Sequence, residues 1–272
     1  MLRRIAHLTW RLARFTRHWL KEIFIALVLA VLAALLVEYY KASKERESLN
    51  RNKRAVAQVV AYKNQHQLAQ GSGVFINQTG LLITNFHVIE GADQLVAKLP
   101  TGAYYQLRDI RGADRVADIA ILQFDAQETP CVSGLGDSDK VEAGQRIIAI
   151  GSPLGLESSI SEGVISNPKR SIAGVSFIQF TAPISSGSSG GGLFDKAAGL
   201  LLGLPSRSLA ASPELQADVG VQNVNFAVPI NAVKDSIDGT TTIFTEGRPE
   251  YYYSLGTIAE NRHALGFESR GV

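Results

Sequence analysis

Nine short apolar runs, VAQVVAY, GVFI, LLIT, QLVAKL, DIAILQF, RIIAIG, FIQF, GLLLGL and VNFAVP, follow one another between residues 56 and 229 at turn-bounded spacing. Runs of four to seven residues are strand-sized, and none is followed by the longer 3.6-period segment that a βαβ unit requires. The chain carries 25 glycines, many of them between these runs, as an all-β protein with many tight turns needs. The pattern therefore predicts a β-sandwich or barrel and excludes a doubly wound sheet. One helical candidate follows Pro229, over residues 230–236, and fits a short closing helix.

With 272 residues, 46% of them hydrophobic, the chain can bury one substantial core or two small ones. Its single cysteine, Cys131, cannot pair within the chain, so packing alone must hold the fold. The net charge of +2 hides an asymmetry. Arg3, Arg4, Arg11, Arg14, Arg17 and Lys21 are six of the 27 basic residues, and no acid precedes Glu22. The rest of the chain has 21 basic against 25 acidic residues, which leaves no electrostatic footprint for nucleic acid.

The basic cluster belongs with the segment beside it. IFIALVLAVLAALLV, Ile23 to Val37, is uncharged and apolar, and as a helix it spans about 22 Å. Trp19 and Leu20 extend it on one side, Tyr39 and Tyr40 on the other, while Lys21, Glu22 and Glu38 lie near enough to the ends to snorkel. VEYYKASKE follows without a small-residue cleavage pattern, which favours an uncleaved signal anchor over a cleaved signal peptide. The positive-inside rule keeps the N-terminus in the cytoplasm and sends the rest across the membrane. The expected organisation is a basic cytoplasmic N-terminus (1–22), a transmembrane signal anchor (23–40), a solvated polar stalk (41–54), one globular domain (55–238) and a tail of unknown role (239–272).

A nucleophilic serine needs an imidazole to take its proton, a carboxylate to hold that imidazole, and N–H groups facing the developing oxyanion. The chain offers one set. His87 lies in LLITNFHVIEGAD just after an apolar run, where a side chain can project into a cleft. Asp118 opens DIAILQF at a strand end, and Ser189 lies in the glycine-dense SSGSSGGGLFD. Gly187 permits the backbone twist that aims its own N–H and that of Ser189 at one point, an oxyanion hole, and Gly190 and Gly191 leave room for substrate. Taken singly, each has a blander reading: a hydrogen-bonded histidine, a turn-capping aspartate, a flexible Gly-Ser linker.

In combination these segments resemble the HtrA/Deg family of trypsin-like, chymotrypsin-fold serine proteases. GSGVFINQTGLLITNFHVIEGAD is similar to the family's histidine segment and ADIAILQF to its aspartate segment. GLGDSDKVEAGQRIIAIGSPLGLESSISEGVIS resembles the stretch joining the barrels, FIQFTAPISSGSSGGGLFD the serine segment, and VNFAVPINAVK the closing strand and helix. The resemblance covers residues 56–236. It implies an all-β fold of two perpendicular six-stranded barrels with the site in the cleft between them, His87 as general base, Asp118 as its partner, Ser189 as nucleophile, and Gly187 with Ser189 as oxyanion donors. It also implies no metal or cofactor, unfolded or regulatory envelope proteins as substrates, a homotrimer, and a periplasmic domain on a single-pass anchor in a bacterial inner membrane.

The fold's specificity pocket lies in the residues before the nucleophile and in the next strand but one, which gives Ile184, Leu202, Gly203 and Leu204 as substrate-binding candidates. No acid lies between Thr181 and Ser188 to neutralise a basic side chain, so a preference for small aliphatic residues is expected. The chain departs from the family at Ser188, Gly192 and Thr181, where asparagine, proline and aspartate are usual. The residues after Ser236 are too few for the family's PDZ domain, so none is expected. Two other functions fit the same residues: a catalytically quiet, membrane-tethered scaffold whose oxyanion loop stays collapsed, and an esterase or transferase using the same triad.

Overall fold

A computed structural model describes residues 2–126, 128–132, 134–152, 159–172, 174–206 and 224–238; the tail expected at 239–272 lies outside the described residues. The chain divides into two units, Met1–Arg46 and Glu47–Val272. Helix α1, Leu2–Ala55, makes up the first and supplies the opening turns of the second. From Trp19 onward it is long and apolar enough to cross a membrane, and its large side chains, Ile23, Phe24, Leu29, Leu32 and Leu36 among them, are exposed. The helix does not break at the stretch read as a stalk, which takes the helical of the two forms open to it, helical or loose. KASKERESLNRNKR holds no glycine or proline, is rich in good helix formers, and carries an Arg51–Glu47 pair one turn apart. Its end is not solvated either: Asn52 is buried and donates from Nδ2 to the Gly199 carbonyl at 2.8 Å, and Ala55 is buried in a core cluster. This hydrogen bond offsets the cost of burying the amide.

The second unit is built on two closed barrels of six strands each. The first contains β1 (Val56–Lys63), β2 (His66–Phe75), β3 (Leu81–Thr84), β4 (Gln94–Lys98), β5 (Tyr104–Asp114) and β6 (Ile119–Phe124), in the order β1-β2-β3-β6-β5-β4. The second contains β7 (Arg146–Gly151), β8 (Ser159–Ile172), β9 (Val175–Phe180), β10 (Gly192–Asp195), β11 (Leu201–Ser206) and β12 (Asn225–Pro229), in the order β10-β11-β12-β9-β8-β7. Neighbouring strands are antiparallel throughout. Closure leaves no strand edge for another chain to pair with.

The apolar runs become nine of the twelve strands. β5 and β8 carry many exposed polar positions and β10 is only four residues long, so hydrophobicity alone does not mark these three. The runs are continuous rather than alternating because many strands are buried on both faces. Phe75, Leu82 and Leu122 point into the first barrel, while their neighbours Val74, Ile83 and Ile121 join Phe177, Phe194, Leu201 and Leu204 in a cluster shared with the second. Inside the first barrel the Phe75 ring meets Tyr105 and Phe124 edge-on, at 6.0 and 6.1 Å between centroids. Ile147, Ile165, Ile178, Phe180 and Leu193 fill the second. Each such buried side chain contributes about 1.5–3 kcal/mol, so a chain without disulfides can hold both barrels by packing.

The closing helix forms as expected, as α3 (Ile230–Asp238). Ile230 and Val233 enter the shared cluster, and Asn231 donates from Nδ2 to Asp137 Oδ1 at 2.8 Å and to Asp139 Oδ2 at 2.9 Å. The Asn231 bond, with help from Lys140 and the Asp139 N–H, holds the Asp137 carboxyl down at about 2.

Candidate active site

His87 sits in a one-turn helix, α2 (Phe86–Ile89), at the exit of β3. Phe86, Val88 and Ile89 are buried around it, which leaves the half-buried imidazole as the turn's most accessible side chain. Asp118 directly precedes β6 and has φ of 56°, a left-handed conformation that aspartate tolerates better than most residues. This turn brings the carboxylate onto the histidine twice over. Asp118 Oδ1 accepts from the His87 backbone N–H at 3.0 Å, and His87 Nδ1 lies 3.0 Å from Oδ1 and 2.9 Å from Oδ2. The Asp118 side chain is 11% exposed and the imidazole 31%, so the carboxylate is screened from water while the outer edge of the ring is open.

Two residues not singled out in the sequence complete this pair. Ser206, at the end of β11, donates from Oγ to Asp118 Oδ2 at 2.7 Å. Asn85 donates from Nδ2 to the Asp118 carbonyl at 2.9 Å and so fixes the left-handed backbone. Both are fully buried. A serine closing the apolar run GLLLGLPS was the available signal, because a hydroxyl buried at the end of such a strand must find an acceptor.

Ser189 lies in the turn before β10, with only 7% of its surface exposed. Neighbouring contacts place that turn against the histidine segment and beside Ser206. The Gly190 N–H donates to the Pro205 carbonyl at 3.0 Å. A Cβ on Gly190 would fall 2.2 Å from both the Ser72 carbonyl oxygen and Thr84 Oγ1, and 3.1 Å from the Asn85 nitrogen, two residues before His87. With φ of 79° as well, the position admits glycine alone. Gly187 has φ of 91°, in the left-handed region that favours glycine.

The specificity candidates lie nearby, deeper than expected of a pocket lining. Leu202 and Leu204 are buried in two different core clusters, Gly203 pairs with Leu193 and Pro229, and Ile184 is half-buried against the cluster that contains Leu202. Among the described residues, no three His, Cys, Asp or Glu side chains gather as metal ligands would.

The chain's relatives agree with this architecture. Residues 71–204 match the family model of the trypsin-like peptidase domain. A probable periplasmic serine endoprotease, DegP-like, from Halomonas elongata is 37% identical over 171 residues, which are 62% of this chain and 34% of the relative. A serine protease Do-like HtrA from Lactobacillus helveticus is 35% identical over 216 residues, 71% of this chain and 51% of the relative. The chain thus spans a third to a half of the length of the curated relatives it matches. Among solved structures, the HtrA-type protease AlgW with tripeptide superimposes with a TM-score of 0.60 at 32% identity, covering 71% of this chain and 62% of that one. The serine endoprotease from Yersinia pestis gives the same score at 26% identity, covering 72% and 66%. With the same double barrel, and with a family model whose match takes in His87, Asp118 and Ser189, residues 71–204 are a trypsin-like peptidase domain, similar to that of HtrA-type proteases.

Proposed function

We propose that residues 55–238 form a serine endopeptidase in which Ser189 attacks the peptide carbonyl, His87 is the general base and Asp118 holds the imidazole. The observation that carries this reading is the pair of hydrogen bonds from His87 to one buried carboxylate, through the ring at 2.9 Å and through the backbone N–H at 3.0 Å. With Nδ1–H given to Asp118, the imidazole lone pair sits on Nε2 and faces away from the carboxylate, ready for a hydroxyl proton. Attack by Ser189 Oγ transfers that proton to His87 and forms a tetrahedral intermediate, whose oxyanion the Gly187 and Ser189 N–H groups bind. The imidazolium, stabilised by Asp118, then protonates the leaving amine, and water releases the acyl group by the same steps in reverse.

The substrates in this reading are unfolded or regulatory proteins of the cell envelope, bound with a small aliphatic side chain before the cut. In this reading Ile184 narrows the entrance beside the strand that carries Leu202, Gly203 and Leu204, whose leucine side chains are themselves buried in the core. A lysine or arginine buried there without a countercharge would lose several kcal/mol. One methylene more or less shifts selectivity by only about 1–3 kcal/mol, so the expected result is a preference for valine, alanine or leucine, not strict selection. Digestion of unfolded casein, with the released peptides sequenced by mass spectrometry, tests both parts. Absence of cleavage would leave the quiet-scaffold reading standing. A majority of cuts after lysine or arginine would refute the pocket alone.

The proposal also places this domain in the periplasm, tethered through residues 23–40. The basic N-terminus and the exposed apolar face of α1 support it. Deletion of residues 1–40 should release a soluble domain, and external protease should digest the full-length protein in intact spheroplasts. Full protection, while a known periplasmic marker is degraded, would reverse the orientation.

A further inference from the structure

We infer that Ser72 is a positioning residue for the oxyanion turn, acting from the first barrel on a loop of the second. The inference rests on the protease reading and adds to it a residue with no place in the triad.

Ser72 lies on β2 between two glycines and is fully buried. Each of its polar atoms is committed. Its N–H donates to the Ser189 carbonyl at 2.7 Å, and its own carbonyl accepts from Thr84 Oγ1 at 2.6 Å. The hydroxyl accepts from the Ser152 N–H at 2.8 Å, just past the end of β7, and donates to the Gly187 carbonyl at 2.6 Å. A hydroxyl has one proton, so the incoming N–H from Ser152 directs that proton to Gly187.

The consequence for the turn follows from peptide planarity. With the Gly187 carbonyl held on Ser72, the N–H of the same peptide must point the opposite way, and the Ser188 N–H indeed donates to the Ser185 carbonyl at 3.0 Å. Rotating that peptide would break both bonds together. Ser72 therefore clamps two carbonyls, those of residues 187 and 189, in the short turn whose N–H groups at the same two positions are assigned to the oxyanion. At Gly187, where φ is 91° and no Cβ restricts the backbone, the clamp supplies the rigidity that glycine lacks. Glycine at 71 lets the strand come this close to the turn: a Cβ there would fall 3.0 Å from the Ser189 carbonyl oxygen and 2.6 Å from a Val88 methyl carbon.

Removing the hydroxyl should damage transition-state binding more than substrate binding. For Ser72→Ala, kcat on a peptide amide substrate should fall roughly ten- to a hundred-fold, less than direct loss of an oxyanion donor, with KM within about twofold. The affinity of a peptide aldehyde, which forms a tetrahedral adduct with the serine, should weaken by a similar factor, while that of the product peptide stays unchanged. Ser72→Thr keeps the hydroxyl and should restore most of kcat. Wild-type kcat in Ser72→Ala, a loss confined to KM, equal weakening of aldehyde and product peptide, or failure of Ser72→Ala to fold would each overturn the inference, the last by making Ser72 a purely structural residue. A wild-type protein that cleaves nothing and binds no aldehyde would instead sink the protease reading itself, so the two failures are distinguishable.

Discussion

Ser189→Ala is expected to lose about four to six orders of magnitude in kcat on any peptide substrate and to keep its fold. The size of the loss follows from the division of labour in the site. Without Oγ there is no nucleophile, and the residual rate is what the oxyanion N–H groups and substrate binding achieve with water alone. The fold should survive because the change removes one hydroxyl from a turn whose backbone is held independently, by Ser72 N–H at the Ser189 carbonyl and by Gly190 N–H at the Pro205 carbonyl. A net hydrogen bond is worth about 1 kcal/mol, so the melting temperature should move by a few degrees at most. Steady-state assays on casein beside a thermal melt check both halves, and proteolysis undiminished in the purified variant would remove Ser189 from the mechanism.

Asp118→Asn should lower kcat by about 10⁴ while leaving KM little changed. Three donors converge on this carboxylate: the His87 backbone N–H, His87 Nδ1 and Ser206 Oγ. An amide offers one acceptor oxygen and one NH2 in the same space. With the oxygen kept on the backbone N–H, the NH2 group faces the imidazole, Nδ1 must become an acceptor, and the ring proton moves to Nε2. The imidazole then presents a proton where the mechanism needs a lone pair. Ser206 can reverse its hydroxyl and accept from the NH2 group, so the stability cost should remain near 1–3 kcal/mol. Loss of kcat with unchanged KM and a melting temperature lower by about 2–12 °C is the expected pattern. A large rise in KM at constant kcat would show that Asp118 serves substrate binding instead.

Much of this architecture could be read in the sequence because the features are local. His87 and Asp118 each sit at the boundary of an apolar run, where a barrel presents side chains at its rim, and Ser189 sits in a glycine-dense turn. The partners that hold those side chains could not be read so, because they arrive from distant positions. Ser206 reaches Asp118 across 88 residues, and Ser72 reaches Gly187 across 115. The place of Ser206 at the end of an apolar run signals a buried hydroxyl, but nothing in the spacing of either serine names the partner it reaches. The pocket walls were hard to read for another reason. All six residues of β11 are buried, so alternation along LLGLPS does not tell which side chains face the cleft and which the core. The polar stretch 41–54 concealed its docked end because the buried residue is Asn52, whose amide bonds to Gly199 across 147 residues.

The central claim is that Ser189 is a nucleophile activated by His87 and Asp118, and reaction with a fluorophosphonate probe tests it most directly. The phosphonyl group traps only a serine whose proton has somewhere to go, and peptide mapping then locates the adduct. One adduct is predicted, on Ser189, absent from Ser189→Ala and formed far more slowly in Asp118→Asn. A folded wild-type protein that takes no label, or takes it on another serine while Ser189 stays free, would contradict the account.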